Sequence, residues 1–261
     1  MDSLAPWDGA LYAANTAHHR RYDAEFIATL PLRPTDRVLD IGCGSGDFTA
    51  TIAALVPDGE VVGLEPQPSL VAEAMARAAT NQSFITAPAQ QLTTLVARRS
   101  FDIAYSRAVL HWIPATDHAG IYAAAAGVLR PGGALRIECG GGDNVREIVA
   151  FLDELASPFG ASGNPWAFGH AGAVLDIVGE VGLSVEGGWV RTVAQRRAFD
   201  RDSMLGWLRS QAIQAYEQRM AAGDRAAFQA EVEARVDELR RRDGTYDLTF
   251  VRLDLLAFVP T

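Results

Sequence analysis

The most informative segment of the chain covers residues 38–47 and reads VLDIGCGSGD. A mostly apolar run leads into three closely spaced glycines, and a helical pattern follows over residues 48–56. This order is typical of a buried strand, a tight turn and a helix. Glycines in such a turn let the backbone adopt positive φ and come close to a ligand. The segment therefore predicts a ligand-binding loop at the end of a strand.

The glycine spacing and the flanking carboxylates indicate which ligand this loop prefers. Dinucleotide enzymes use G-x-G-x-x-G and place a pyrophosphate at the helix N-terminus. Here the spacing is G-x-G-x-G, Asp47 stands at the third glycine position, and Asp40 precedes the turn. Two carboxylates would repel a pyrophosphate but would suit a ligand that carries an ammonium and a sulfonium group. The loop therefore favours S-adenosylmethionine over NAD.

A third carboxylate, Glu65, supports the binding of an adenosine moiety. It ends the next predicted strand, where a carboxylate can accept hydrogen bonds from both ribose hydroxyls. Both classes of nucleotide use this arrangement, so Glu65 indicates adenosine without separating the two.

Strands alternate with helices along the first half of the chain, which predicts a parallel sheet covered on both faces. The second half contains longer helical patterns and two strand-like runs, and the helices between the last two strands are expected to form a cap. The predicted strands cover residues 37–41, 60–65, 83–86, 101–106, 134–139, 183–197 and 248–259. The predicted helices cover one or two stretches within 7–30, then 48–56, 69–79, 121–129, 145–156, 171–181, 202–220 and 222–242.

Composition excludes several classes of protein. All 23 basic residues are arginine, so the chain cannot form a lysine Schiff base. The net charge of −9 disfavours a nucleic-acid partner, because such binding depends on neutralised phosphates. Two distant cysteines, Cys43 and Cys139, predict neither a disulfide framework nor a metal site. Without a signal peptide or a long apolar run, the expected location is the cytoplasm, away from membranes.

Four segments resemble class I S-adenosylmethionine-dependent methyltransferases, in particular a small-molecule group similar to trans-aconitate and malonyl-carrier-protein methyltransferases. They are residues 38–46, 63–66, 101–112 and 129–133, in the order of that family. The resemblance implies a Rossmann-like, doubly wound α/β fold with a mostly parallel seven-stranded sheet. It also implies an N-terminal helical segment and a helical cap inserted before the last strand.

The resemblance further implies one methyltransferase domain over residues 1–261. Within it, residues 1–30 would form a helical lid, residues 31–140 the cofactor-binding core, and residues 141–261 the substrate-side half with a cap at about 200–243. The implied cofactor-binding residues are Asp40, Gly42, Cys43, Gly44, Gly46, Glu65, Pro66, Gln67, Ala89, Gln90, Ser106 and Arg107.

One position departs from the family pattern. Pro88 stands where an acidic or amide side chain usually reaches the adenine amino group. The backbone N–H of Ala89 and the side chain of Gln90 remain as possible contacts. The expected loss is about 1 kcal/mol, the net contribution of one hydrogen bond.

Methyl transfer from a sulfonium needs alignment above all, and a base only where the acceptor carries a proton. His111 follows the fourth strand and is the candidate base, with a structural role as the alternative. Arg191, Arg209 and Arg252 are candidates to clamp a substrate carboxylate. The candidate substrate contacts are Tyr12, His18, His19, Trp112, Trp166 and Trp207.

The sequence thus predicts an enzyme that methylates a small organic molecule, with oxygen of a carboxylate or phenol as the favoured acceptor atom and S-adenosylhomocysteine as the second product. The alternatives are a carrier-protein-bound acyl acceptor and a cofactor-binding protein without transferase activity. A nicotinamide oxidoreductase and a nucleic-acid methyltransferase fit less well. Either a monomer or a homodimer is compatible with the sequence.

Overall fold

The computed structural model describes residues 17–261, with side chains from residue 23 onward. Seven strands form one sheet in the spatial order β3-β2-β1-β4-β5-β7-β6. The strands are β1 (Arg37–Ile41), β2 (Glu60–Glu65), β3 (Gln82–Thr86), β4 (Phe101–Arg107), β5 (Leu129–Gly140), β6 (Ser184–Phe199) and β7 (Tyr246–Phe258).

Strand direction confirms the predicted fold class. β1, β2, β3, β4 and β5 run parallel to their neighbours, whereas β7 runs antiparallel to β5. Parallel strands end on the same edge of a sheet, so the segments after β1, β2, β4 and β5 share one edge. The strand order reverses between β1 and β4, and ligands of α/β sheets bind at the carboxyl ends beside such a reversal.

Helices connect the strands as the alternating pattern predicts. The α-helices of the described residues are Ala17–Ala28, Asp47–Leu55, Pro68–Ala76, Leu92–Leu95, Ala115–Val128, Arg146–Ala156, Ala171–Glu180, Arg201–Trp207, Ile213–Glu217 and Arg225–Arg235. None of these helices is long and apolar enough to cross a bilayer.

Two apolar clusters cover the sheet, one on each face. Leu39 and Ile41 of β1 belong to one cluster, and Val38 belongs to the other together with Ile52. Successive side chains of a strand point to opposite faces, so a strand buried on both sides must be apolar at successive positions. This explains why β1 reads as a nearly continuous apolar run rather than an alternating one.

The structure corrects several predicted boundaries. β5 begins at Leu129 rather than at 134, and a register shift relative to β4 accommodates the Pro-Gly-Gly segment. The helix predicted over 202–220 contains a π-turn at Leu208–Ala212, where the Ser210 hydroxyl donates to Gly206 O at 2.9 Å. The last helix spans Arg225–Arg235 and gives way to a 3₁₀ turn at Val236–Leu239. Short helical turns at Ala89–Gln91 and Leu110–Trp112 had no sequence prediction.

The chain divides into two compact units. The larger contains Asp23–Gly142, Ala167–Val193 and Arg252–Thr261, and it includes β1 to β5. The other contains Asp143–Trp166 and Ala194–Val251. In this second unit Tyr216 is fully buried, and its hydroxyl donates to Asp153 Oδ1 at 2.7 Å.

Candidate functional site

The glycine loop after β1 adopts the positive φ values that its sequence predicts. Gly42, Gly44 and Gly46 have φ of 83°, 55° and 81°. A Cβ on Gly42 would lie 2.3 Å from a methyl of Val109, and one on Gly46 would lie 2.9 Å from Ala74 Cβ. A Cβ on Gly44 would meet no described atom within 4 Å. Gly42 and Gly46 therefore allow close packing, whereas Gly44 borders open space that a ligand can occupy.

The carboxylate of Glu65 is hydrogen-bonded to the backbone of this loop. Its Oε2 accepts the Gly44 N–H at 3.2 Å, and its Oε1 accepts the Gln67 N–H at 3.0 Å. Burial raises the pKa of this carboxyl group, and the two backbone hydrogen bonds oppose that rise. Each carboxylate oxygen has two acceptor positions, so both oxygens can still accept a hydrogen bond from a ligand hydroxyl.

Asp40 is a buried acid directly beneath the loop. The hydroxyls of Thr49 and Tyr105 both donate to its Oδ2 at 2.7 Å. Burial raises the pKa of Asp40 from 3.8 to about 6, although these two hydrogen bonds favour the ionised form. Neither partner is apparent from the local sequence. The sheet register, which pairs Asp40 with Tyr105 across β1 and β4, is the signal that identifies the tyrosine.

Asp47, the other carboxylate of the loop, is an exposed partner of Arg77. Arg77 Nη1 lies 2.7 Å from Asp47 Oδ1, and Arg77 Nη2 donates to Ser45 O at 2.8 Å. The ion pair offsets the charge of Asp47, so the negative potential expected of the loop comes from Asp40 and Glu65 instead. The preference for a cationic ligand stands on these two acids.

The carboxyl end of β4 is held by its side chains. Ser106 donates to Ile41 O at 2.9 Å, and Arg107 forms ion pairs with Asp23 and, at 3.6 Å, with Glu138. The next residue, Ala108, has a φ of 58°. A non-glycine residue in this region is strained, and such strain is often found at functional sites. The side chains of Ser106 and Arg107 thus hold the end of β4 in place.

The segment after β3 lacks a carboxylate at Pro88, as the sequence shows. Pro88 leads into the 3₁₀ turn Ala89–Gln91. The N–H of Ala89 is the first of that turn and has no intrahelical acceptor. Gln90 Nε2 donates to Asp117 Oδ2 at 2.9 Å, so part of its hydrogen-bonding capacity is used within the protein. Pro66, after β2, is exposed.

His111 lies in the 3₁₀ turn Leu110–Trp112, which follows β4. Nε2 of His118 lies 2.9 Å from both Leu110 O and Ile113 O, the carbonyls at the two ends of this turn. Since carbonyls only accept, His118 Nε2 must carry a proton. The Ala167 N–H donates to His111 O at 2.9 Å. Hydrogen bonds from His118 and from Ala167 therefore hold the turn in place.

The His111 ring is half-buried among aromatic side chains. The Gly140 N–H donates to His111 Nδ1 at 3.3 Å. Burial, with a smaller contribution from nearby His118, lowers the pKa of His111 to about 3. The rings of Trp112 and Phe168 lie 5.3 and 5.9 Å from its centroid. The sequence did not indicate Phe168 as a site residue, because no local motif places it beside a residue 57 positions earlier.

The other candidate substrate contacts and the candidate clamp arginines come from several parts of the chain. Tyr12 and the side chains of His18 and His19 lie outside the described part of the chain. Trp166 and Trp207 belong to the second unit and pack edge-to-face on Tyr216 and Phe250. The three candidate clamp arginines each have an acidic partner at 2.7 to 2.9 Å: Arg191 with Asp254, Arg209 with Glu233 and Arg252 with Glu138.

Metal ligation has no support in the described residues, which contain no cluster of three or more His, Cys, Asp or Glu side chains able to hold an ion. The glycine loop, in contrast, fits S-adenosylmethionine. Gly44 borders open space, the carboxylate of Glu65 stands at the loop edge, and Asp40 supplies an acidic group beneath it. The positively charged ammonium and sulfonium groups of this cofactor are complementary to these acidic side chains.

Comparison with known proteins finds methyltransferases. The methyltransferase domain family matches residues 38–133. The chain is 31% identical to trans-aconitate 2-methyltransferase from Methylobacterium radiotolerans over 97% of its own length and 98% of that protein. It is 29% identical to the trans-aconitate 2-methyltransferase of Variovorax paradoxus, with the same coverage.

A solved structure with the same fold also contains the expected cofactor. It is phosphoethanolamine N-methyltransferase 2 of Haemonchus contortus in complex with S-adenosyl-L-methionine. The TM-score is 0.60 at 14% identity, over 97% of this chain and 56% of that one. This likeness concerns the fold, and the family follows from the full-length relatives. The chain belongs to the trans-aconitate 2-methyltransferase family and is an S-adenosylmethionine-dependent methyltransferase.

Proposed function

We propose that this enzyme methylates a carboxylate of a small organic acid, with trans-aconitate as the first candidate, and releases a methyl ester. The observation that carries the proposal is the match with trans-aconitate 2-methyltransferases over nearly the whole chain, including the parts outside the cofactor domain. The acceptor pocket in this fold is built largely from those outer parts, so a match confined to the core would have said little about the acceptor.

The chemistry of the site supports a carboxylate as acceptor. Bound S-adenosylmethionine supplies an electrophilic methyl group on a sulfonium, whose leaving group is a neutral thioether. A carboxylate is already ionised at neutral pH, so its methylation needs no general base. The pKa of His111, lowered to about 3, makes this side chain a poor base for a phenol. A site that aligns its substrates without accepting a proton suits an acid better than an alcohol.

We assign the cofactor to the loop and the strand ends around it. Gly42, Cys43, Gly44 and Gly46 would lie along the methionyl part, with Asp40 orienting its ammonium group. Glu65 would accept from the ribose hydroxyls, and Pro66, Gln67, Ala89 and Gln90 would surround the adenine. Ser106 and Arg107 would contribute backbone atoms. The open space at Gly44 and the anchored carboxylate of Glu65 support this assignment.

We also propose that three segments of the chain have the separate functions that the family pattern implies. Residues 1–30 would serve as a lid, residues 31–140 would bind the cofactor, and residues 141–261 would form the substrate side with a cap at about 200–243. Tyr12, His18, His19, Trp112, Trp166 and Trp207 stay candidate substrate contacts. A cytoplasmic monomer or homodimer without a nucleic-acid partner fits this function.

A panel of acceptors tests the proposed function. Purified enzyme and S-adenosylmethionine would be mixed with trans-aconitate, its trimethyl ester, a phenol or an acyl-loaded carrier protein, and S-adenosylhomocysteine would be measured. We expect turnover with the acid and none with the trimethyl ester, which has no free carboxylate. Turnover with the phenol or the carrier protein alone would contradict the proposal. A Glu65→Ala variant, which should lose cofactor binding, controls for contaminating activity.

A further inference from the structure

The hydrogen bond from Gly140 to His111 fixes which ring nitrogen carries the proton. Nδ1 of His111 accepts the Gly140 N–H at 3.3 Å, so in the neutral ring Nδ1 must be unprotonated. The proton of the neutral imidazole is then on Nε2. Within the described residues Nε2 makes no hydrogen bond, so it presents one N–H donor.

The surroundings of the ring keep it neutral. Protonation would place an N–H on Nδ1 against the N–H of Gly140. The titratable groups packed nearby are His118, on the helix after the turn, and Cys139, on β5, and neither supplies a compensating negative charge: His118 lowers the pKa of His111, and burial raises the pKa of the Cys139 thiol. Trp112 and Phe168 supply apolar ring surface.

The donor is also held in place. The N–H of His118 bridges the carbonyls at both ends of the turn, and Ala167 fixes the carbonyl of His111 itself. Phe168, the next residue along, contacts the ring. The adjoining Gly169 accepts the Gly142 N–H at 2.9 Å, which anchors this segment beyond the end of β5. A donor fixed in this way needs little reorganisation to bind an anion.

We infer that His111 binds the carboxylate of the methyl acceptor through its Nε2–H and acts as a neutral hydrogen-bond donor rather than as a base. This inference rests on the proposed function and adds the group that recognises the acid. It also replaces the role of base that the sequence suggested for His111. The arginines considered as clamps all have acidic partners, whereas this N–H lies after β4, at the edge of the sheet where α/β ligands bind.

The donor role predicts a particular split in the kinetics. The acceptor carboxylate loses negative charge as the ester forms, so a hydrogen bond to it is stronger in the ground state than in the transition state. Losing the donor should therefore raise KM for the acid by about 10- to 100-fold, the range for a hydrogen bond to a charged group, without lowering kcat. Losing a base would instead lower kcat.

Two substitutions separate the roles. In His111→Gln, the amide oxygen can accept from Gly140 and the amide nitrogen can donate, as the ring does, but the side chain cannot take up a proton. In His111→Leu both functions are lost. We expect KM of the glutamine variant to stay within about threefold of wild type and KM of the leucine variant to rise as stated. Equal affinity for S-adenosylmethionine and equal thermal midpoints would show that both variants fold.

A spectroscopic measurement reads the tautomer without turnover. Long-range ¹H–¹⁵N spectra of the free enzyme should show His111 protonated at Nε2 alone between pH 6 and 9. An Nδ1-protonated ring, or a kcat that falls equally in both variants, would overturn the inference while leaving carboxylate methylation intact. If wild-type enzyme methylates no acid, the proposed function itself fails and the inference fails with it, whatever the tautomer.

Discussion

At the scale of single residues, the buried acid of β1 beneath the glycine loop opposes folding when it is ionised. The pKa of buried Asp40 rises from 3.8 to about 6, so between these pH values the folded chain binds more protons than the unfolded one. The free energy of unfolding therefore falls as pH rises through that window, and the ionised form costs about 3 kcal/mol at neutral pH. The proposed role of Asp40 at the ammonium group of the cofactor would offset this cost.

Asp40→Asn tests this cost. The amide oxygen can still accept from Thr49 and Tyr105, but no charge is buried. We expect the free energy of unfolding of the cofactor-free protein to rise by about 2–3 kcal/mol at pH 7.5, with a much smaller gain near pH 4.5. Affinity for S-adenosylmethionine should fall. Urea denaturation at both pH values measures the first effect, and a gain that did not depend on pH would refute the explanation.

The loop glycines should respond differently to the same substitution. Gly44→Ala adds a methyl group into open space and incurs about 1–2 kcal/mol for positive φ, so the protein should fold but bind cofactor weakly. Gly42→Ala introduces the same backbone strain, and its methyl group also collides with Val109. The thermal midpoint of this variant should therefore fall further than that of Gly44→Ala. Calorimetric titration and thermal unfolding of both variants check this order. Normal affinity in Gly44→Ala would remove the loop from the cofactor site.

Local sequence could predict the glycine turn and the carboxylates near the ends of β1 and β2, because these positions follow from spacing along the chain. It could not predict that the Ser106 hydroxyl donates a hydrogen bond to β1, or that Asp47 pairs with Arg77, 30 residues later in the chain. Those contacts depend on strand order and helix placement. Partners from distant segments, such as Phe168 beside His111, became visible only in the folded structure.

At the scale of elements, the turn after β4 depends on His118. Its N–H satisfies the two carbonyls that bracket Leu110–Trp112. His118→Leu should loosen the turn and move His111, so KM for the acid should rise severalfold while the affinity for cofactor is unchanged. Steady-state kinetics and a cofactor titration measure both quantities. A parallel loss of cofactor affinity would mean that the substitution disturbs the whole sheet edge.

The elements that sequence reasoning found are those with strong periodicity. β1 and β2 have the bounds that their apolar runs predict. Short turns such as Ala89–Gln91 contain too few residues to show a period, and the π-turn at Leu208–Ala212 retains a helical pattern that conceals the extra residue. The start of β5 shifted because this strand absorbs the Pro-Gly-Gly segment through a register shift.

At the scale of the whole molecule, the sheet contains a buried ion pair whose two members must stay matched. Arg136 Nη1 lies 2.5 Å from Asp254 Oδ1, and both side chains are less than 10% exposed. Arg136 also stacks on Phe26, at 4.4 Å from the ring centroid. Burial lowers the pKa of this arginine, and Asp254 opposes that shift.

Asp254→Asn should therefore cost about 3 kcal/mol of folding free energy, because it leaves a buried guanidinium without its counter-charge. Glu233→Gln is the matched control, since its pair with Arg209 is about half exposed and should contribute less than about 1 kcal/mol. Urea denaturation of both variants decides the comparison. Equal costs would show that Arg136 is solvated in the folded protein.

The central claim is that a carboxylate accepts the methyl group. Enzyme, trans-aconitate and methyl-tritiated S-adenosylmethionine would be incubated, the product treated with mild base, and the released methanol counted. A methyl ester would release nearly all of its label, in proportion to the S-adenosylhomocysteine formed. Label that stays with the product after base would mean transfer to a phenol, nitrogen or carbon, and would contradict the claim.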